Sequence, residues 1–294
     1  MIATMSDLVP DGLFGDLPTH QAPKAIYRPI KNKVWTEHKA QLVARYLRYF
    51  TFVTKHGAYI DGFAAPKSPG VEGSWAAQAV MAMEPRWLRE FFLCDIDPAR
   101  ASHLQALRDG QPTDRKRLID IRIGDFNDTI IDILRHPRLT QKTATFALLD
   151  QYSFQCEWRT LEALAAHKAN NKVELLYFLP TSWLGRGLAG HTADLDRPER
   201  WWGLPDWRAL QGQKGPALAK VFSERIQQEF GYTYCAPYPI FEDQGSQRVM
   251  FHLIHATDHD EAPKLMQRAY RKVTNRLESE EQLALDLQGV RIDP

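Results

Sequence analysis

This sequence predicts an α/β fold on a mostly parallel central sheet, and three observations carry the prediction. Strand-like apolar runs alternate with helix-period patterns from residue 58 to residue 179. Runs such as Phe146-Ala147-Leu148-Leu149 are apolar at every position, the pattern of strands buried on both faces. An aspartate recurs where each of the first four strands ends. A chain of 294 residues can form one large domain of this class with insertions.

Each element can be justified in chain order. Residues 1–33 carry prolines and little periodicity, and read as an N-terminal arm. The domain then spans 34–276. From Trp35 to Val53 the period is helical, with Leu42, Val43, Tyr46, Leu47 and Phe50 on one face. The strand Ala58–Ile60 runs into Asp61-Gly62-Phe63-Ala64-Ala65-Pro66. Small residues in such a turn let backbone N–H groups approach a ligand, with a helix, Trp75–Met83, just beyond. Further strands are expected at Phe91–Asp95, Ile119–Ile123, Thr145–Leu149 and Val173–Leu179. Helices are expected at Pro98–Leu107, Asn127–Leu134 and Glu157–Asn170; Pro98 suits a first turn, where its missing N–H costs little.

After Pro180 the rhythm changes. An insertion covers about 183–230, rich in Trp, Gly, Arg and Pro at first, then helical over Ala217–Phe230. Trp201, Trp202 and Trp207 read as its core rather than as platforms for bases. Strands Thr233–Phe241 and Arg248–Ala256 pair across Asp243-Gln244-Gly245 as a C-terminal β-hairpin. A helix over Ala262–Arg276 and a charged tail, 277–294, close the chain. Five parallel strands and a hairpin make the strand count of the Rossmann-like class I methyltransferase fold.

Composition narrows the function classes. The net charge is +1, so no global field draws the chain to nucleic acid or anionic lipid, although 37 basic residues leave room for a local basic face. Cys94, Cys156 and Cys235 are far apart, without disulfide or metal spacing, and Cys94 sits in an apolar run as a core thiol. The ten histidines show no zinc spacing; His252 and His255, three apart in a strand, point to opposite faces. No metal site is expected. With no apolar run of membrane-spanning length and no signal peptide in view, a reducing cytoplasm is the expected compartment.

In an open α/β sheet, ligands lie outside the carboxyl ends of the strands, at the topological switch point. Asp61 follows the first strand, Asp95 and Asp97 the second, Asp125 the third and Asp150 the fourth. After the second strand, Asp95 or Asp97 can accept both ribose hydroxyls through its two carboxylate oxygens; Asp97, before Pro98, is also a candidate helix cap. Asp125 can accept an adenine amino group while Phe126 covers the ring, or it can cap the next helix. Any one of these acids alone reads as structural. All four in register point to a nucleoside cofactor, held by Asp61, Gly62, Phe63, Ala64, Asp95, Asp97, Asp125 and Phe126. Asp150-Gln151-Tyr152-Ser153 stands where amino-methylating enzymes carry an Asp/Asn-Pro-Pro-aromatic element, so Asp150 and Tyr152 are the catalytic candidates.

These motifs together resemble one family. From about Trp35 to Lys272 the chain is similar to the three-Cys-motif partner proteins, TcmP. The likeness runs through Trp35-Thr36-Glu37-His38-Lys39, Tyr59-Ile60-Asp61-Gly62-Phe63-Ala64, Gly124-Asp125-Phe126-Asn127, Phe146 to Tyr152, Trp201 to Trp207 and Leu253-Ile254-His255-Ala256-Thr257. The family pattern reads Asp-Gly-Phe-Ala-Gly-Pro-Gly and Asp-Pro-Phe/Tyr-Gly. Here Ala65 and Lys67 replace its later glycines, Gln151 its proline and Ser153 its last glycine. The resemblance implies an S-adenosylmethionine-dependent methyltransferase-like fold and a radical-SAM-like three-cysteine partner. The first expectation for the chain is methyl transfer from S-adenosylmethionine to nucleic acid or a nucleotide. The other expectation is a binding subunit that supports that partner without transferring methyl.

Three residues complete the substrate candidates. Trp183 and Arg186, after the fifth strand, can stack on and clamp a nucleotide, or merely anchor a loop. Lys39, on the first helix, can reach a phosphate or carboxylate; the alternative is a solvated helix lysine. The basic loop Arg115-Lys116-Arg117 reads as solvated or as part of a nucleic-acid rim.

Overall fold

The computed structural model describes residues 34–66, 73–151, 153–190, 196–241 and 248–274, without the side chains of residues 34–38, 183, 185, 186, 189 and 190. The expected arm, the tail, the 243–245 turn, Tyr152 and the side chains of Trp183 and Arg186 lie outside the described residues.

Seven strands form one sheet: β1 Gly57–Asp61, β2 Leu88–Asp95, β3 Leu118–Ile123, β4 Thr145–Leu149, β5 Glu174–Leu179, β6 Tyr234–Phe241 and β7 Val249–Thr257. Their order is β3-β2-β1-β4-β5-β7-β6. β1 to β5 pair in parallel, while β7 runs antiparallel to both β5 and β6. The order therefore reverses between β1 and β4, and that is where a ligand crevice opens in such sheets.

Helices cover both faces: α1 Val34–Thr54, α2 Ala76–Met81, α3 Pro98–Asp109, α4 Phe126–Leu134, α5 Trp158–Ala166, α6 Thr181–Gly190, α7 Asp196–Trp202, α8 Gly215–Phe230 and α9 Ala262–Thr274. The period-2 alternation of the strands divides the core. Ile60, Phe92, Cys94, Ala147 and Leu149 face α4, α5, α6 and α8. Tyr59, Phe91, Leu93, Phe146 and Leu148 face α1, α2, α3 and α9.

Local chemistry sets the helix ends. Asp97 caps α3 ahead of Pro98, and Asp125 caps α4. Gly231, at φ +66°, ends α8 in the left-handed conformation. The helix expected over Trp75–Met83 is α2, six residues long from Ala76 to Met81. The insertion resolves into α6, α7, a 3-10 helix over Pro205–Leu210, and α8. Trp201, Trp202 and Trp207 are buried in it, with Trp201 stacked on Phe222 at 5.4 Å and edge-on to Phe154 at 5.2 Å.

Candidate functional site

The four predicted acids converge. Asp61 and Asp95 are the last residues of β1 and β2, Asp125 caps the helix after β3, and Asp150 follows β4 directly. A cleft of about 610 Å³ opens there, within the range of small-molecule sites. Gly62, Phe63, Asp95 and Ile96 line one side of it, and Asp125, Phe126 and Asp150 another. Arg197 and Arg200 of α7 and Arg100 of α3 bring positive charge to its walls. A small recess of about 20 Å³ lies beside it, lined by Lys39, Asp61, Ala64, Pro66, Ser74 and Asp150 among others.

Asp61 is buried and held by two donors. Tyr59 Oη donates to its Oδ2 at 2.8 Å, and the Phe63 N–H to its Oδ1 at 3.1 Å. Burial drives the Asp61 carboxyl up to about 7; the two hydrogen bonds pull it down, neighbouring Asp150 pushes it up and Lys39 opposes the rise.

Asp150 is engaged by Lys39. The ammonium of α1 and the carboxylate after β4 form a close ion pair. Lys39 is only 5% exposed and also lies 4.5 Å from the centre of the Phe178 ring, so it is not a solvated helix lysine. The next residue turns inward. Gln151 Nε2 donates to the Tyr177 hydroxyl, its Oε1 accepts from Cys156 N at 2.7 Å, and Trp201 Nε1 donates to the same hydroxyl at 2.7 Å. Gln151 thus fixes by side-chain bonds a loop that proline would fix by its ring. Ser153 adopts φ +70°, a left-handed conformation suited to glycine.

Asp95 and Asp97 divide their roles. Asp95 is buried, lines the cleft, and accepts from Asp97 N at 2.9 Å, Ala65 N at 3.3 Å and Arg100 Nη2 at 3.0 Å. Asp97 takes the capping role, accepting from Ala99 N at 2.9 Å and pairing with Arg100 Nε at 3.2 Å. It does not line the cleft. Asp125 also caps its helix, accepting from Asn127 N at 2.8 Å, yet remains in the cleft wall.

The small-residue turn works differently from its sequence expectation. Its N–H groups are spent inside the protein: Gly62 N on Leu148 O at 3.2 Å, Ala64 N on Cys94 O at 2.8 Å, and Phe63 and Ala65 on Asp61 and Asp95. They form no anion cradle. Glycine at 62 is required by packing, because an added Cβ would collide with the Phe126 ring. Phe126 is accordingly buried against Gly62 and edge-on to Phe63, with ring centres 6.0 Å apart. The open apolar surface in the cleft is Ile96, 57% exposed and directly after Asp95.

Sequence reasoning missed Ile96, Arg100, Asn127, Glu157, Arg197 and Arg200. Asn127 ties the site together: its Nδ2 donates to Asp125 Oδ1 and to Gln155 O, both at 2.8 Å, and its Oδ1 accepts from Glu157 N at 2.9 Å. It stood inside a quoted motif with no role given to it. The arginines of α7 carried no signal, since only the fold of the insertion brings them to β4. Conversely, the Arg115–Arg117 loop precedes β3, so it lies at the sheet end opposite the cleft. Arg117 there is tied down, donating to Leu88 O at 3.1 Å and Met81 O at 3.3 Å.

Chemically, the site offers carboxylates to hydroxyls and cationic groups, an apolar ledge at Ile96 and arginines at its walls. Among the described residues no group of three or more His, Cys, Asp or Glu could hold a metal ion, and no helix is long and apolar enough to cross a membrane. No family model matches the chain, and no curated protein is similar to it.

Proposed function

We propose that the protein is an S-adenosylmethionine-dependent methyltransferase acting on nucleic acid or a nucleotide, in concert with a three-cysteine radical-SAM-like partner. One observation carries the reading: acids from the ends of β2 and β4 and from the cap after β3 line one cleft where the strand order reverses, with Asp61 of β1 in the small recess beside it. The order β3-β2-β1-β4-β5-β7-β6, with β7 antiparallel, is that of class I methyltransferases and supports it. So does the left-handed Ser153, at a position where the resembled family has glycine.

In this reading Asp95 accepts the ribose hydroxyls, Ile96 and Phe63 flank the base, and Asp125 takes the adenine amino group. Asp61 and Asp150 face the cationic amino-acid end. Asp150, paired with Lys39, holds the acceptor, and catalysis is chiefly orientation in a site shielded from water. Arg197 and Arg200 receive a phosphate of the acceptor.

Calorimetry with S-adenosylhomocysteine tests the cofactor. Asp95→Ala is expected to weaken binding by about 1–3 kcal/mol, the value of a charge-assisted hydrogen bond. A radiolabelled methyl assay on DNA, RNA and nucleotides tests the chemistry, with Asp150→Ala losing turnover while keeping cofactor affinity. A folded wild type that binds neither cofactor nor product sinks the reading. A second reading, a non-methylating subunit of the same partner, is favoured by one observation: Asp150 is already engaged by Lys39 and the element after it lacks its prolines. Cofactor binding without methyl transfer to any acceptor selects that reading.

A further inference from the structure

The sheet has a second cavity at its other end. About 440 Å³ opens where β4 and β5 begin and β7 ends, between the last turns of α1 and the first turn of α9. It shares no lining residue with the cleft.

Its two acids are already satisfied. Glu174, the first residue of β5, is buried and accepts from the Tyr46 hydroxyl; it also bonds His255 Nε2 at 2.8 Å and Thr257 Oγ1 at 3.3 Å. Asp258 accepts Thr233 N on one oxygen at 3.0 Å, and Lys172 N and Nζ on the other at 3.0 and 3.2 Å. The buried cation without an ion pair among the described residues is Lys168. It is 5% exposed, lines the cavity, donates to one backbone oxygen, Thr143 O at 3.1 Å, and pairs with no described carboxylate. A buried ammonium with a single neutral hydrogen-bond partner is costly; burial pulls its pKa down from the ordinary lysine value, and the neighbouring charge of Asp258 opposes only part of that. Lys142, also in the lining, adds a second positive charge. Phe50, Val53 and Leu265 give it an apolar side, with Val53 presenting open apolar surface, beside polar residues such as Gln141, Asn170 and Asn171.

We propose that this cavity binds a small organic anion, a carboxylate or phosphate on an aromatic or aliphatic body, with its charged group on Lys168 and its body against Phe50, Val53 and Leu265. The charge of the ligand follows from Lys168 and Lys142, neither of which forms an ion pair among the described residues, and its apolar body from the apolar side chains of the wall. The proposal stands independently of the methyltransferase reading.

The test is calorimetry on the full chain with 4-phenylbutyrate and phenyl phosphate as probes, and acetate and inorganic phosphate as bare headgroups. At least one organic probe is expected to saturate, more tightly than its bare headgroup. Lys168→Gln should weaken it about tenfold or more, as loss of a charged hydrogen bond requires, while Lys168→Arg stays close to wild type. Leu265→Trp fills the cavity and should abolish binding with Lys168 intact, which keeps the idea testable if Lys168→Gln does not fold. Absence of saturation by both organic probes at millimolar concentration overturns the proposal. So does wild-type affinity in folded Lys168→Gln or Leu265→Trp.

Discussion

The two ends of the sheet spend their acids in opposite ways. At the amino end, Glu174 and Asp258 are surrounded by donors and a lysine is left without a carboxylate. At the carboxyl end, Asp95, Asp125 and Asp150 keep internal partners and still line an open cleft, and burial has pushed Asp61 beside them to titrate about 7. One helix serves both ends. Lys39 of α1 reaches Asp150 beyond β4, and Tyr46, seven positions later and roughly 10 Å along the axis, reaches Glu174 at the start of β5.

That contrast can be broken in several places. The largest effect is expected at Lys39. Lys39→Ala strands the Asp150 carboxylate in a nearly closed site, and removing one partner of a buried pair costs about 3–5 kcal/mol. Urea denaturation measures it; a loss below about 1 kcal/mol, typical of exposed pairs, would place the pair with surface ion pairs instead.

Asp61 comes next, through pH. The folded carboxyl titrates about 7, and the unfolded one near 3.8. Between those values the native protein holds a proton that the unfolded chain has released, so stability falls as pH rises through this window and levels off above it. Asp61→Asn removes that slope. Its stability relative to wild type should improve by about 2 kcal/mol from pH 5 to pH 8, at about 1.4 kcal/mol per pKa unit with allowance for relaxation. Parallel denaturation curves for the two proteins at both pH values would contradict the raised carboxyl.

Gly62→Ala sharpens the comparison sterically. The collision with Phe126 is expected to cost about 1–3 kcal/mol, as overpacking does, and Phe126→Leu in the same chain should recover part of it. If the cost is unchanged in the double variant, the glycine is there for another reason. The smallest effect belongs to Asp97. Asp97→Ala should cost about 1 kcal/mol as a lost helix cap and leave cofactor affinity alone, while Asp95→Ala lowers affinity. Equal loss of binding in both would return Asp97 to the cofactor site.

Much of this architecture was legible in the sequence because it is written locally. Apolar runs and their turn residues located all seven strands to within a few residues, and the acids at strand ends marked the crevice. What escaped was pairing over distance. Lys39 and Asp150 are 111 positions apart, Tyr46 and Glu174 are 128, and no periodicity announces such a contact. The glycine turn misled for a related reason: its small residues suggested open N–H groups, but acceptors on β1, β2 and β4 consume them. Gln151 read only as a missing proline, because the Tyr177 hydroxyl it holds lies on another strand.

The bonds from Gln151 through the Tyr177 hydroxyl to the indole of Trp201 have an optical consequence. The residue next to Asp150 is wired by two hydrogen bonds to a chromophore in the dry core of the insertion. Any event that shifts the Asp150 loop alters the polarity felt by that indole N–H, and with it the colour and yield of the emitted light. Seven other tryptophans contribute background, and subtracting the spectrum of Trp201→Phe isolates the signal. The protein thus carries an intrinsic, label-free gauge of whether its cleft is filled, readable in a stopped-flow cuvette before any substrate is known.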